Sequence, residues 1–460
     1  MNSNPIIPSS DASIWATPGD DRYREATASF NLAADVSPQF ALTATTVSEV
    51  QDAVAEAVAR GLSVRVHSTG HAADGGVPFD GEALIRTSLD GGVHVDVDAG
   101  TATIPAGTVW GDVLAATAPH GLVPLHGTSS TVGAIGYLLR GGVSFYGRKF
   151  GVASNSIVSI SLVVADGSVV TVDHANDREM FDALRGGGGG FGVVVSVTIN
   201  LFPVASVFTG ATFWPASEAN DLLRTWETWA KTAPNAASTA FRVLNLPPLP
   251  GIPPMLTQGP VVCIDGAVID DAGRSGAEIA AELLDQLRAH AAPLLDTWHP
   301  GPVTDVPMTH MDPPTPAPSR GDHMMLTALG DEGRKALLSV AGQAGGASLA
   351  IVELRQLGGA LADSDARGGV VNSLSGAYGL YSLGIPMGPN TVEGIAAQLG
   401  AVRAAMGPWD TGITIPTFVD RFDIPQKSFD ASVAAGVDDI RRRIDPTGIF
   451  RTDVAPGARI

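Results

Sequence analysis

The chain has 460 residues, 45 % of them hydrophobic, and a formal charge of −19. That length suits two or three domain-sized units with substantial cores, and the acidity argues against non-specific binding to nucleic acid or an anionic membrane. A single cysteine, Cys263, rules out an internal disulfide or a thiolate zinc site, which agrees with a cytoplasmic location, and no run reaches the roughly 18 apolar residues of a membrane span.

Residues 1–21 are polar, acidic and proline-containing, unlike a secretory leader. Residues 47–60 place Val47, Val50, Val54 and Val58 on one helical face, with Ser48 as the expected cap. Strands are expected at 62–67, 93–99, 101–105, 157–164 and 169–172, with Asp166-Gly167 turning between the last two, and a short helix near Val109. A helix at 176–184 then runs into five glycines, 186–190, followed by the β-branched run Val193, Val194, Val195, Val197 and Ile199. A dinucleotide fingerprint has the opposite order, strand then glycines then helix, so these glycines permit close backbone approach without launching a helix.

Beyond Pro203 the pattern changes to strands at 261–268 and 349–354 alternating with helices at 217–231, 272–290, 331–343 and 391–406, which predicts a sheet covered by helices. The proline-rich stretches 246–254 and 299–318 read as loops on a pocket rim. A final helix is expected at 426–443. No internal repeat is evident.

Four segments carry the chemistry. They are Arg-Val-His-Ser-Thr-Gly-His-Ala-Ala-Asp-Gly at 65–75, Gly-Thr-Ser-Ser-Thr-Val-Gly-Ala-Ile-Gly at 127–136, Arg-Gly-Gly-Val-Ser-Phe-Tyr-Gly-Arg-Lys-Phe-Gly at 140–151, and Asp-Ala-Leu-Arg followed by the glycine run and Phe-Gly at 182–192. Turns rich in Ser, Thr and Gly present backbone donors suited to phosphate oxygens. In this order, with Asp445-Pro446 and Phe450-Arg451 near the end, the segments resemble the vanillyl-alcohol oxidase or p-cresol methylhydroxylase superfamily, specifically its berberine-bridge-like branch. The resemblance covers roughly 43–203, continues weakly through 352–360 and returns at the end of the chain.

The resemblance implies an α+β fold. A two-part FAD-binding domain of the p-cresol methylhydroxylase type would occupy 1–205, with its core at 36–205. A substrate domain, an antiparallel sheet covered by helices, would occupy 206–424, and 425–460 would return to the FAD domain. It further implies FAD joined covalently through His71, with His67 standing where many relatives have arginine. Ser68, Thr69 and Gly70 would form one cofactor loop. Thr128, Ser129, Thr131, Val132, Gly133 and Gly136 would form a second, and Gly187, Gly188 and Gly192 a third. Arg148 would add charge, and Val193 or Val194 backbone contacts. Ser129 matches a position that is cysteine in doubly tethered relatives, so one tether is expected.

The implied reaction is oxidation of a C–H bond beside O–H or N–H in a small or medium organic molecule, with oxygen as electron acceptor and hydrogen peroxide as product. A flavin dehydrogenase, or a catalyst of non-redox cyclisation or elimination, would share these motifs. Many relatives take the proton with a tyrosine where this chain has Phe418. The replacement candidates are Tyr146, Tyr378, Tyr381, Glu353 and Asp420. Tyr378 and Tyr381 lie three apart on one strand and so face opposite sides, and Glu353 shares a strand face with Arg355, a plain ion-pair alternative. His299, His310 and His323 with Asp305, Asp312 and Asp322 are metal-ligand types at irregular spacing, and no metal site is expected from them.

Overall fold

The computed structural model describes residues 13–73, 79–248, 251–341, 349–388, 390–420 and 427–451. Expectations touching 1–12, 74–75, 249–250, 342–343 and 426 lie outside these residues.

The first part of the chain builds a parallel three-stranded sheet, with Ala83–Thr87 between Phe40–Ala44 and Val64–His67. The helix Val47–Arg60 buries Val50, Ala53, Val54 and Ala57 in the same core as Val64 and Ile85. Its cap is Thr46, not Ser48. Thr46 is the last extended residue and forms a capping box with Glu49, whereas Ser48 already lies in the first turn. A five-stranded antiparallel sheet follows in the order His94–Asp96, Thr101–Pro105, Val193–Asn200, Ile157–Val163, Val169–Asp173.

The glycine run begins inside a helix. Arg178–Gly187 is capped by Asp177 and loses helical angles at Arg185 and Gly186. The strand Val193–Asn200 then enters the middle of its sheet, so the order helix, glycines, strand stands.

The third large element is an antiparallel sheet of eight strands. Its path runs Leu295–Asp296, Val207–Pro215, Val261–Val268, Ala237–Leu244, Ile351–Gln356, Tyr378–Gly384, Arg320–Leu326, and His299–Gly301 adds to Val207–Pro215. One face is apolar. Phe241, Ile264, Leu354 and Leu380 share a core with Leu222, Trp226, Leu283, Leu337 and Leu399 from the helices Ala219–Ala230, Gly276–His290, Gly330–Ala341 and Val392–Met406. Because side chains alternate along a strand, the residues between them form the opposite face, which meets the loops of the first part of the chain.

Two expectations change here. The proline-rich stretch 299–318 is not wholly loop, because it contains the edge strand His299–Gly301 and the turns Val303–Asp305 and Val306–Thr309, the latter with proline in its first turn, where a missing N–H costs nothing. The helix expected from 272 starts at Gly276, since Ser275 and Glu278 form a capping box there. Near the end, the helix Ala431–Ile444 packs on Arg178–Gly187, and Val64 donates to Ile449 O at 2.7 Å while accepting from Arg451 N at 2.8 Å. Residues 449–451 thus lie beside the strand Val64–His67.

Candidate active site

The turn after Val64–His67 is held to the segment at 127–136. His71 Nε2 lies 3.0 Å from Thr131 Oγ1, which lies 3.0 Å from Ser129 Oγ. The imidazole stacks on Phe30 with centroids 3.7 Å apart. Burial pushes its pKa down to about 4, against the opposing pull of Asp312 and Thr131, so it is neutral at pH 7. A Cβ on Gly133 would collide with Ser68 Oγ, and Val132 O accepts from Trp110 N at 3.0 Å. The Gly133 backbone therefore packs directly on the Ser68 side chain. The carbonyls of Thr69 and Gly70 accept from Phe30 N and Asn31 N, and His67 meets the Phe79 ring edge-on at 6.2 Å. Gly136 faces open space.

The third loop is tied in from two sides. Gly188 N donates to Leu139 O at 2.9 Å, and Arg441 donates to Gly187 O at 2.5 Å and Gly189 O at 3.1 Å. Arg441 thus secures the glycine run, a more specific role than complementing its helix dipole. A Cβ on Gly192 would meet Val163 O, and Val193 and Val194 pair with Val163 and Leu162.

Arg148 is a correction. Its guanidinium donates to Ala237 O at 2.7 Å, Ala233 O at 2.9 Å and Leu357 O. Buried among carbonyls that take up all three nitrogens, it braces the sheet and offers no charge to a phosphate, and burial lowers its pKa to about 10. Lys149 pairs with Asp271 at 2.7 Å.

Facing these loops is a row of charge on the inner face of the large sheet. Arg242, Glu353, Tyr381 and His323 stand directly opposite one another across four strands. Arg242 pairs with Asp265 at 2.9 Å and Arg355 with Glu353 at 2.8 Å. Between them sits His310, with Nδ1 2.9 Å from Asp265 and Nε2 3.0 Å from Glu353. Burial and Arg242 push the imidazole down, but Asp265, Glu353 and Asp312 outweigh them and raise it to about 9. It is an imidazolium donating from both nitrogens. Despite its burial, Glu353 is held far below the usual carboxylate range by Arg355, His310 and Arg242.

The face is joined to the loops at several points. Thr128 Oγ1 donates to Asp312 at 2.9 Å, and Arg140 donates to Val419 O at 2.7 Å. Arg355 lies over the rings of Phe145 and Phe418 at 5.4 and 5.2 Å, and Phe145 meets His310 edge-on at 6.0 Å. The remaining candidates separate by side. Tyr381 donates to Asp420 Oδ2 at 2.5 Å on this face. Tyr378 is another correction, because the strand alternation turns it into the helix layer against Trp226, 5.3 Å away. Tyr146 is buried beside His126, 5.6 Å between rings, and burial raises its pKa.

The sequence reading set His310 aside with the other metal-type residues, yet it is the centre of the buried network. The available signal was its place in a proline-rich segment expected at a pocket rim. Of the other residues in that group, Asp312 belongs to the same network, whereas His299 pairs with Asp305 at 2.9 Å and Asp322 with Arg403 at 2.7 Å.

These loops fit a flavin nucleotide on three observations. Gly133 carries no side chain where the Ser68 hydroxyl packs, so the Ser-Thr-Gly turn and the 127–136 loop meet closely. Tyr137 Oη, Tyr146 Oη and His126 Nε2 are buried with no hydrogen-bond partner among the described residues, and His71 is a neutral imidazole.

The family model described as an FAD binding domain matches residues 38–173. An uncharacterized oxidoreductase of the fasciation locus of Rhodococcoides fascians is 36 % identical over 199 residues, 41 % of this chain and 43 % of that protein. The (R)-6-hydroxynicotine oxidase of Paenarthrobacter nicotinovorans is 32 % identical over 170 residues, 37 % of each. The chain thus spans about two fifths of the length of these curated relatives. The likeness of fold extends much further. The BBE-like 1 protein of Physcomitrella patens superposes with a TM-score of 0.80 at 20 % identity, covering 96 % of both chains, and 6-hydroxy-D-nicotine oxidase from Arthrobacter nicotinovorans with 0.80 at 20 %, covering 97 % of this chain and 98 % of that one. Among the described residues no helix is long and apolar enough to cross a membrane.

Proposed function

We propose that this chain is a member of the vanillyl-alcohol oxidase or p-cresol methylhydroxylase superfamily and an FAD-dependent oxidase of a small or medium carbinol or amine, a reading supported by its match to an FAD binding domain and by its likeness of fold. The observation that carries the reading is the juxtaposition of the His71–Thr131–Ser129 loops with the charged inner face of the sheet, joined through Thr128 and Asp312. In this reading 1–205 with 425–460 hold the cofactor, 206–424 roof it, and the protein is cytoplasmic.

Bound there, FAD supplies a hydride acceptor that can be reoxidised by oxygen to give hydrogen peroxide. The chain's residues hold and shield it. His71 is neutral, its Nε2 is engaged by Thr131, and Nδ1 is the nitrogen offered for a covalent tether. Ser68, Thr69, Gly70, the backbone of Thr128 and the glycines 189, 190 and 192 supply donors, which suit phosphates in a protein of this acidity. On the roof, three cations (Arg242, Arg355, protonated His310) balance three acids (Asp265, Glu353, Asp312). These charges are paired with one another, which favours a neutral substrate group, and Phe145 and Phe418 add aromatic walls.

The test is purification followed by anaerobic addition of a carbinol and amine panel. Yellow protein whose flavin bleaches with one of them, and which forms peroxide in air, is the expected result. Colourless protein that takes up no FAD would end the proposal.

A further inference from the structure

We propose that residues 29–32 are a strap that positions His71, and the turn before it, toward the cofactor. The proposal rests on the flavin reading above and adds Phe30 and Asn31 to it as positioning residues.

The strap is bonded on both sides. Toward the cofactor turn, Thr69 O accepts from Phe30 N at 2.9 Å, and Gly70 O accepts from Ser29 Oγ at 2.8 Å and from Asn31 N at 3.4 Å. Toward the segment before the strand Arg320–Leu326, Phe30 O accepts from Ala317 N at 3.0 Å, and Leu32 N donates to Ala317 O at 3.2 Å. Asn31 ties the two sides together. Its buried side chain donates to Ser319 O at 2.9 Å and accepts from Ser319 N at 3.0 Å, between residues 288 positions apart. Ahead of the strap, Arg86 donates to the carbonyls of Glu25, at 3.1 Å, and Ala28, at the end of the helix Asp21–Thr27.

This bonding decides what the turn can offer a ligand. A Cβ on Gly70, whose φ is +76°, would stand 2.5 Å from Ser29 Oγ and 3.0 Å from Ser29 Cα, so the strap lies flush on the turn. In a trans peptide the C=O and N–H of one plane point in opposite directions. Because the carbonyls of Thr69 and Gly70 point into the strap, the N–H groups of Gly70 and His71 point away from it. The imidazole is oriented by the same contact. Phe30 covers one of its faces, with centroids 3.7 Å apart and planes 14° from parallel, and Thr131 Oγ1 holds Nε2 at 3.0 Å. Nδ1 and the opposite face are left for the cofactor.

The joining step balances with oxygen as oxidant. The flavin 8α-methyl carbon and the imidazole Nε2 each release one proton as Nδ1 bonds to that carbon. The two electrons left on the flavin pass to oxygen, which leaves as hydrogen peroxide. Phe30 touches neither reacting atom and acts only by fixing the ring.

Two measurements on the full chain test this. In the first, purified protein is incubated in air with saturating FAD, and acid-stable flavin is followed against total bound flavin. Phe30→Ala should slow the rise of acid-stable flavin about tenfold or more, and Phe30→Tyr, which restores a stacked ring, should return it to within about twofold of wild type. Attachment at the wild-type rate in Phe30→Ala overturns the proposal, as does wild-type flavin that acid releases. The second measurement is amide hydrogen exchange, which needs no flavin. Asn31→Ala should speed exchange at Ala317 and Ser319 about tenfold or more, and unchanged exchange there overturns the strap. Wild-type protein that binds no FAD sinks the flavin reading, with the strap itself still decided by exchange.

Discussion

Thr128 Oγ1 donates to Asp312 Oδ2 at 2.9 Å, a bond between residues 184 positions apart that joins a glycine-bearing loop to the segment carrying His310. It brings one wall of the candidate site to its roof. Thr128→Val should cost about 1 kcal/mol in urea unfolding, a typical value for one such bond. In a double-mutant cycle with Asp312→Asn the two losses should not add, and strict additivity would show that the bond does not form in solution.

His310 sets an alkaline limit on stability. Its pKa in the folded chain is about 9, raised from 6.5, so the imidazolium's contribution is complete below pH 6.5 and lost as pH rises through 9. That corresponds to about 3 kcal/mol if the unfolded value is ordinary. The opposite sign holds for His71 and His126, lowered to about 4, and His323, lowered to about 3. Each is neutral in the fold, and stability falls as pH drops from 6.5 towards those values. Thermal unfolding should therefore be most resistant near pH 6.5 to 7.5, and His310→Gln should flatten the alkaline slope between pH 7 and 9.5.

Arg148 should behave as a brace. Arg148→Met removes bonds to carbonyls of Ala233, Ala237 and Leu357 and should cost about 2–4 kcal/mol by denaturant titration, because buried acceptors lose their donor. Flavin content per folded chain should stay unchanged. A folded variant depleted of flavin would return Arg148 to the cofactor.

The tether prediction concerns His71. Acid precipitation of wild-type protein should leave the flavin on the chain, and His71→Ala should release it to the supernatant, measured by absorbance of both fractions. Acid-stable flavin in the variant assigns the tether elsewhere. Thr131→Ala removes only the partner of Nε2 and should slow attachment without abolishing it.

Much of the scaffold was legible in local pattern. The helix Val47–Arg60 and the strand Val261–Val268 match their expected limits, although of the four valines expected on one helix face Val47 and Val58 are exposed and Ala53 and Ala57 are buried with Val50 and Val54 instead. The opposite orientation of Tyr378 and Tyr381 followed from the pleat alone. The glycine run was correctly separated from a nucleotide-binding helix by the valines after it. Caps and starts were less legible, as Thr46 and Gly276 illustrate, since a cap depends on which residue is last to be extended.

Arg148, His310 and Asp420 show what local pattern could not reach. A guanidinium in a glycine-rich motif looks like a phosphate ligand until the carbonyls of Ala233, Ala237 and Leu357 arrive from distant segments to saturate it. His310 became an imidazolium only because strand pairing set Asp265 and Glu353 on either side of it. Asp420 met Tyr381 across 39 residues, through a gap that Gly321 leaves open on the next strand. By itself the sequence determined the elements, the order of the loops and the kind of cofactor they resemble, because these depend on neighbours along the chain. Tertiary structure alone decided which charges meet and which way each side chain is turned, because burial and Coulomb interactions act through space and are set by strand register.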